Sequence, residues 1–210
     1  MKVTFGLVNF HSPIVLRLER DILPTIAHYP QGEFEIICID NDPAPSRELL
    51  DCLARITTTP ARYIWNGGAN LKIAAAKNQI YANATHPIAV YLCANHGRMF
   101  DPTWLEDLIR PFENHPKVAL TGTMTPYTLA DIGEGDGTGY FVQGGVLGVR
   151  VETLRKHPLS STYPHAASDK WISRDLVKHG YQIANVASVK SVWQRSLPAR
   201  HRYKYVHAEE

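Results

Sequence analysis

Four short apolar runs constrain this chain most, because each ends in a small polar cluster and the segments that follow carry helical signals. Val3–Phe10, Phe34–Ile39, Arg62–Trp65 and Ile88–Leu92 are rich in β-branched and aromatic residues and too short for core helices. Behind Ser12-Pro13, a good N-cap with Pro at the first helical position, Ile14, Leu18 and Ile22 recur at helical spacing, and Pro24 disturbs that helix near its end. Ser46 is placed to cap a second helix whose Leu49, Leu53 and Ile56 share a face, and Ala74–Ala82 reads as a helix of small residues. Asp101-Pro102 caps another, with an apolar stripe of Trp104, Leu105, Leu108, Ile109 and Phe112. Val118–Gly122 and Tyr140–Val149 read as further strands, Asp169–His179 as a helix that Gly180 ends, and Tyr181–Val189 as a last strand. This alternation predicts an α/β fold: one domain, with a mostly parallel central sheet and helices on both faces.

Sheets of this kind collect functional groups at the C-terminal ends of their strands. Asp40 falls at such an end in Asp40-Asn41-Asp42-Pro43, Asn66 in Asn66-Gly67-Gly68, and Asn95 in Cys93-Ala94-Asn95-His96-Gly97, which makes these the first site candidates. The glycine-rich segment Gly133–Gly139 does not lie between a strand and a helix, which argues against a dinucleotide fingerprint and for a lid or a hairpin loop. Gly144-Gly145 interrupts an apolar strand, a sign of close backbone approach or of a bulge.

Size and composition narrow the class. A chain of 210 residues suits one α/β domain, and 44% hydrophobic with 20% charged residues excludes a long disordered tract. The net charge of +2 is uneven: Leu176 to Ala208 holds no Asp or Glu but carries Lys178, Lys190, Arg195, Arg200, Arg202 and Lys204. That end is read either as a solvated tail or as a surface for phosphate, nucleic acid or anionic membrane. Cys38 and Cys93 lie in apolar runs, and no Cys-x-x-Cys occurs, so neither a zinc knuckle nor a redox pair is supported. The ten histidines are dispersed without metal-ligand spacing. The opening residues lack the apolar core of a signal peptide and no run reaches membrane-spanning length, so a cytoplasmic location is expected.

In order and spacing, these elements resemble glycosyltransferase family 2 over roughly residues 3–190, with 191–210 left as a basic tail. Four segments carry the resemblance. Val3–Pro13 resembles the family's opening strand and turn, and Glu35–Asp42 its second strand, which ends in Asp-Asn. Asn66–Asn78 resembles its Asn-x-Gly followed by Ala-Arg-Asn, here Ala76-Lys77-Asn78. Ser168–Tyr181 is similar to its Glu-Asp-x-Asp through Ala-Gly-Tyr, without a gap. The resemblance implies a GT-A fold, Rossmann-like, and an inverting transferase that moves a sugar from a UDP-like nucleoside-diphosphate donor to an acceptor hydroxyl. It implies that Asp40 accepts hydrogen bonds from the base or ribose, that Asn9 or Phe10 lines the base pocket, that Lys77 and Asn78 lie near the nucleotide, and that Asp169 is the catalytic base. The bland readings stand beside these: Asp40 as a turn cap, Lys77 as a solvated lysine, Asn78 as a bond to a neighbouring loop, and Asp169 as a helix N-terminal charge.

The chain departs from the family where it matters. An Asp-x-Asp that holds a divalent cation is expected after the fourth strand, and Asn95 with His96 stands there instead. Mg²⁺ wants carboxylate oxygens, whereas Mn²⁺ tolerates the imidazole of His96. Three alternatives stay open. A cation is held by Asn95 and His96 with His201 or His207; or Lys77, Arg98 or the tail arginines replace the metal on the leaving diphosphate; or the protein binds sugar nucleotide without turnover. Ser168, Trp171 and Asp175 replace family residues, so Asp169 alone keeps its carboxylate. The short body places acceptor binding on the 133–139 and 160–167 loops and the basic tail, which would suit a nucleic acid or a lipid-linked anionic glycan.

Overall fold

The computed structural model describes residues 2–12, 14–93, 103–128, 138–160 and 168–186. They form one seven-stranded sheet in the order β3-β2-β1-β4-β6-β5-β7. The strands are β1 (Val3–Asn9), β2 (Phe34–Asp40), β3 (Ala61–Trp65), β4 (Ile88–Leu92), β5 (Val118–Thr128), β6 (Thr138–Arg150) and β7 (Gln182–Asn185). Only β6 opposes the rest, pairing antiparallel with β4 and β5, so the sheet is mostly parallel, as expected.

Every residue of β1, β2 and β4 is buried, because both faces of the sheet are covered. The period of two sorts them: Val3, Phe5, Leu7, Phe34, Ile36 and Cys38 face one core, and Val8, Ile37 and Ile39 the other. The first core is closed by α1 (Ile14–Arg17), α2 (Leu23–Ile26), α3 (Arg47–Ala54) and α5 (Trp104–Asn114), whose whole predicted stripe is buried. The second is closed by α4 (Lys72–Asn83), α6 (Val151–Lys156) and α7 (Ser168–Lys178). Gly6 permits the approach of α4, since a Cβ there would press into Ile80.

Local signals behave as their chemistry dictates. The Ser46 hydroxyl accepts from the Leu49 amide at 3.3 Å and starts α3. Between α1 and α2 the helix widens into a π turn at Leu18–Ile22, just ahead of Pro24, which has no N–H and whose ring crowds the carbonyl four residues back. Gly180, at φ +81°, ends α7, and the Tyr181 amide closes back on the Leu176 carbonyl at 3.0 Å. Two expectations need correction. α6 was not anticipated, and β5 runs on to Thr128 past a register shift between Gly122 and Met124.

Candidate active site

The ends of β1, β2 and β3 form one polar network. Asn9 and Asp40 are register partners on adjacent parallel strands, which brings the Asn9 Nδ2 to 2.9 Å from Asp40 Oδ1. The same oxygen accepts from the Asp42 amide at 3.0 Å, while Oδ2 accepts from the Ser46 amide at 2.9 Å and from the Tyr63 hydroxyl. Asp40 is therefore 0% exposed and held by four donors. Burial, then the bond to Asp40, pushes the Tyr63 hydroxyl well above its usual range, so it stays a donor.

The reachable carboxylate of this turn is Asp42. Its Oδ2 accepts from Asn9 Nδ2 at 2.8 Å, and its Oδ1 accepts from the His11 amide at 2.7 Å and lies 3.2 Å from the His11 imidazole. Those bonds hold His11 at φ +47°, a left-handed conformation that a non-glycine residue adopts only when its surroundings over-determine it. The Phe10 ring packs against it at a tilt, ring centroids 4.7 Å apart. Sequence reasoning did not single out Asp42 or His11. Trp65, 40% exposed, donates from Nε1 to the Asp42 carbonyl and forms the adjoining wall.

Asn66 joins this network to α4. Its Nδ2 donates to Asn41 Oδ1 at 2.7 Å, and its Oδ1 accepts from Gln79 Nε2 at 3.0 Å. The turn after it needs both glycines, since Gly67 and Gly68 have φ of +65° and +82° and a Cβ on Gly68 would strike the Pro43 carbonyl. Two residues before Gln79, Lys77 is buried and lies over the Tyr91 ring, 4.3 Å from its centroid. Asn78 turns to structure instead: it donates to the Leu159 carbonyl at 2.8 Å and accepts from the Leu159 amide at 2.9 Å.

Lys77 meets Asp169 on the far side of the sheet. Val146 pairs with Leu92, so Gly144 lies just beyond the level where β4 ends. There its amide donates to Asp169 Oδ2 at 2.7 Å, and Lys77 Nζ lies 3.4 Å from Oδ1. A Cβ on Gly144 would overlap the carboxylate, which explains the glycine. Gly145 serves differently, its carbonyl accepting from the Cys93 amide at 2.8 Å. The Asp169 side chain keeps 21% exposure, against 3% for Lys77. Burial, then the Asp169 charge, pushes up the Tyr81 hydroxyl, and Tyr91 is raised by burial first and by neighbouring groups after that.

Of the sequence candidates, Asn9, Phe10, Asp40, Asn66, Lys77, Gly144, Gly145 and Asp169 gather at this end of the sheet. Asn95, His96 and Arg98 lie outside the described residues, as do residues 133–137, 161–167 and the tail with His201 and His207. Beneath the β4 end, a cation the sequence did not flag, Arg17, is buried and donates to the Cys93 carbonyl at 3.0 Å while pairing with Asp21. Burial lowers its affinity for its proton, and Asp21 opposes that. One group with metal-ligand geometry, His157, Asp175 and His179, lies elsewhere. A shallow cavity of about 470 Å³ lined by Asp107, Arg110, His115 and Asn185 belongs to the β7 edge, the opposite edge from β3. Among the described residues no helix is long and apolar enough to cross a membrane.

A family model described as Glycosyl transferase family 2 matches residues 18–165. Solved structures with the same fold include the mannosyltransferase PcManGT from Pyrobaculum calidifontis with GDP-Man and Mn²⁺, at TM-score 0.70 and 15% identity over 95% of this chain and 58% of that one. Glucosyl-3-phosphoglycerate synthase from Mycobacterium tuberculosis, with Mn²⁺, UDP-glucose and phosphoglyceric acid, matches at 0.63 and 13% over 94% and 72%. S. aureus TarS 1-349 with UDP matches at 0.59 and 12% over 89% and 58%. The chain thus spans less than two thirds of the mannosyltransferase and of TarS. At these identities the likeness is one of fold, the GT-A fold. No curated protein sequence matches the chain significantly.

Proposed function

The chain belongs to glycosyl transferase family 2, and from that premise we propose that it is an inverting transferase acting from a nucleoside-diphosphate sugar, UDP-like, onto an acceptor hydroxyl. The observation that carries this reading is Asp169. It is a carboxylate fixed at the functional end of the sheet by the Gly144 amide and Lys77, yet still open to solvent on one side. A positioned carboxylate of this kind suits a general base. The acceptor oxygen attacks the anomeric carbon opposite the diphosphate, its proton passes to Asp169, and the bond to the diphosphate oxygen breaks with its electron pair leaving on the nucleotide. Lys77 orients the base and adds positive charge beneath the reacting region.

Donor contacts fall to the groups that face outward. Asp42 and Asn66 offer acceptors and donors to base and ribose, and Phe10, His11 and Trp65 offer ring surface. Asp40 works one layer below as the anchor of the turn that presents them. Solved structures of this fold hold GDP-Man or UDP, which supports the donor class.

The mannosyltransferase and the glucosyl-3-phosphoglycerate synthase also hold Mn²⁺. At the end of β4 the sequence offers Cys93, Asn95 and His96, the last two outside the described residues, and Asp42 and Asp169 are carboxylates at this end of the sheet that keep exposed surface. Amide and imidazole beside a carboxylate suit Mn²⁺ better than Mg²⁺, and such a cation, when bound, would offset charge on the leaving diphosphate. The acceptor is left to the basic tail, with a polyanion as the proposed class.

Turnover of a panel of UDP- and GDP-sugars, with and without Mn²⁺, tests the reading. Wild type turns over at least one donor, and Asp169→Asn loses about 10²–10⁴-fold in rate with donor affinity retained. Unchanged turnover removes the base assignment. Turnover that needs Mn²⁺ and is lost in Asn95→Ala supports the metal corner. Donor binding without turnover on any acceptor favours the second reading, a sugar-nucleotide-binding module, which the ion pair between Asp169 and Lys77 also suits.

A further inference from the structure

We propose that His157, Asp175 and His179 form a binding site for a late first-row divalent ion of the Zn²⁺ class, separate from the donor site. His157 follows α6, Asp175 stands in the last turn of α7, and His179 follows that helix with its amide on the Asp175 carbonyl, so the site joins the C-terminal ends of two helices. One ligand atom from each of the three lies within 4.8 Å of the others. Tetrahedral zinc holds its ligand atoms about 3.4 Å apart, a gap that a small rotation of each side chain closes. The imidazoles are already side by side, with centroids 4.4 Å apart, and the Tyr181 ring packs edge-on against His157 at 5.5 Å.

A second feature prepares the ligands. His179 Nδ1 lies 2.8 Å from the Asp175 carbonyl, which can only accept, and 3.6 Å from Asp175 Oδ1, so Nδ1 facing Asp175 as a donor leaves Nε2 as the nitrogen offered to an ion. Metal-binding histidines are commonly oriented by such a bond to a backbone carbonyl. Two imidazoles and one carboxylate suit Zn²⁺ or Co²⁺ and leave a position for water, whereas Mg²⁺ would want more oxygen ligands.

The place in the fold decides the role. α7 carries Asp169 in its first turn, beside Gly144, and runs eleven residues, about 16 Å, to the opposite end of the sheet. An ion there is out of reach of the donor. It clips the end of α6 to the last turn of α7, stabilising the helix whose first turn carries Asp169.

Titration of the chelator-stripped full chain with Zn²⁺ alone, and with Co²⁺ for its visible spectrum, tests this. The expected result is one ion bound per chain, a Tm raised by several degrees at saturation, and intensified Co²⁺ bands of a four- or five-coordinate site. His157→Ala and His179→Ala should each weaken binding by about tenfold or more and abolish the bands, with wild-type circular dichroism in the ion-free proteins. Equal affinity in wild type and both variants would place the ion on others of the ten histidines and overturn the proposal. So would a six-coordinate, aquo-like Co²⁺ spectrum on the wild-type chain, which needs no variant to read.

Discussion

Asp40 and Asp169 are carboxylates at the same end of one sheet, and they do opposite work. Asp40 lies on the face closed by α3 and α5, is wholly buried, and spends both oxygens on Asn9, Asp42, Ser46 and Tyr63. Asp169 lies on the α4 and α7 face, keeps part of its surface, and is held against a glycine amide and a buried lysine. A carboxylate surrounded by donors is a keystone, because removing it strands each of them. One that keeps 21% of its side-chain surface exposed, as Asp169 does, can be reached by a group that arrives with a proton. Residue type and position on the strand do not separate the two roles. Saturation does.

Removal of each carboxylate is the sharpest way to break that comparison. Asp40→Ala leaves four donors facing a cavity and should cost about 3–5 kcal/mol in denaturant unfolding, whereas Asp169→Asn keeps an acceptor for the Gly144 amide but takes the counter-charge from buried Lys77, and should cost less, about 1–3 kcal/mol. Equal losses would erase the distinction. Gly144→Ala comes next. Its methyl displaces the Asp169 carboxylate, so about 1–3 kcal/mol of stability is lost together with turnover, and activity should fall without loss of donor affinity.

The smallest effect belongs to a third carboxylate, Glu35, near the opposite end of β2. Burial pushes it up, but the Thr4 hydroxyl, the Thr85 amide and Arg62 outweigh that and hold it below its ordinary value of 4.5. A lowered folded-state value means that its contribution is present above about pH 4.5 and is lost as pH falls through the folded value. Glu35→Gln should flatten that stretch of the acid-unfolding curve and cost about 1 kcal/mol at neutral pH. A curve unchanged below pH 4.5 would contradict it.

The sheet was legible because buried strands and amphipathic helices write their periods into the residues, and the stripe from Trp104 to Phe112 is the clearest case. α6 was not, because Val151–Lys156 is too short to show a period and continues the apolar run of β6. β5 was cut short at Gly122 because the residues beyond it, Thr-Met-Thr-Pro-Tyr-Thr, lack an apolar run. At the site, sequence marked Asp40 and the Gly144-Gly145 pair. It did not show that Tyr63, 23 positions away, occupies the Asp40 oxygen, or that the group approaching Gly144 is Asp169. Nor does a spacing of 22 residues between His157 and His179 resemble any ligand motif. Such pairings are products of the fold rather than of local pattern.

We propose that one donor site spans the ends of β1, β2 and β3 and the middle of β6 around Gly144. Amide hydrogen exchange with and without saturating UDP tests it most directly. Protection should concentrate at His11, Asp42, Asn66–Ala69 and Gly144. Protection confined to the β7 edge around Asp107 and Asn185, or absent throughout, would contradict it.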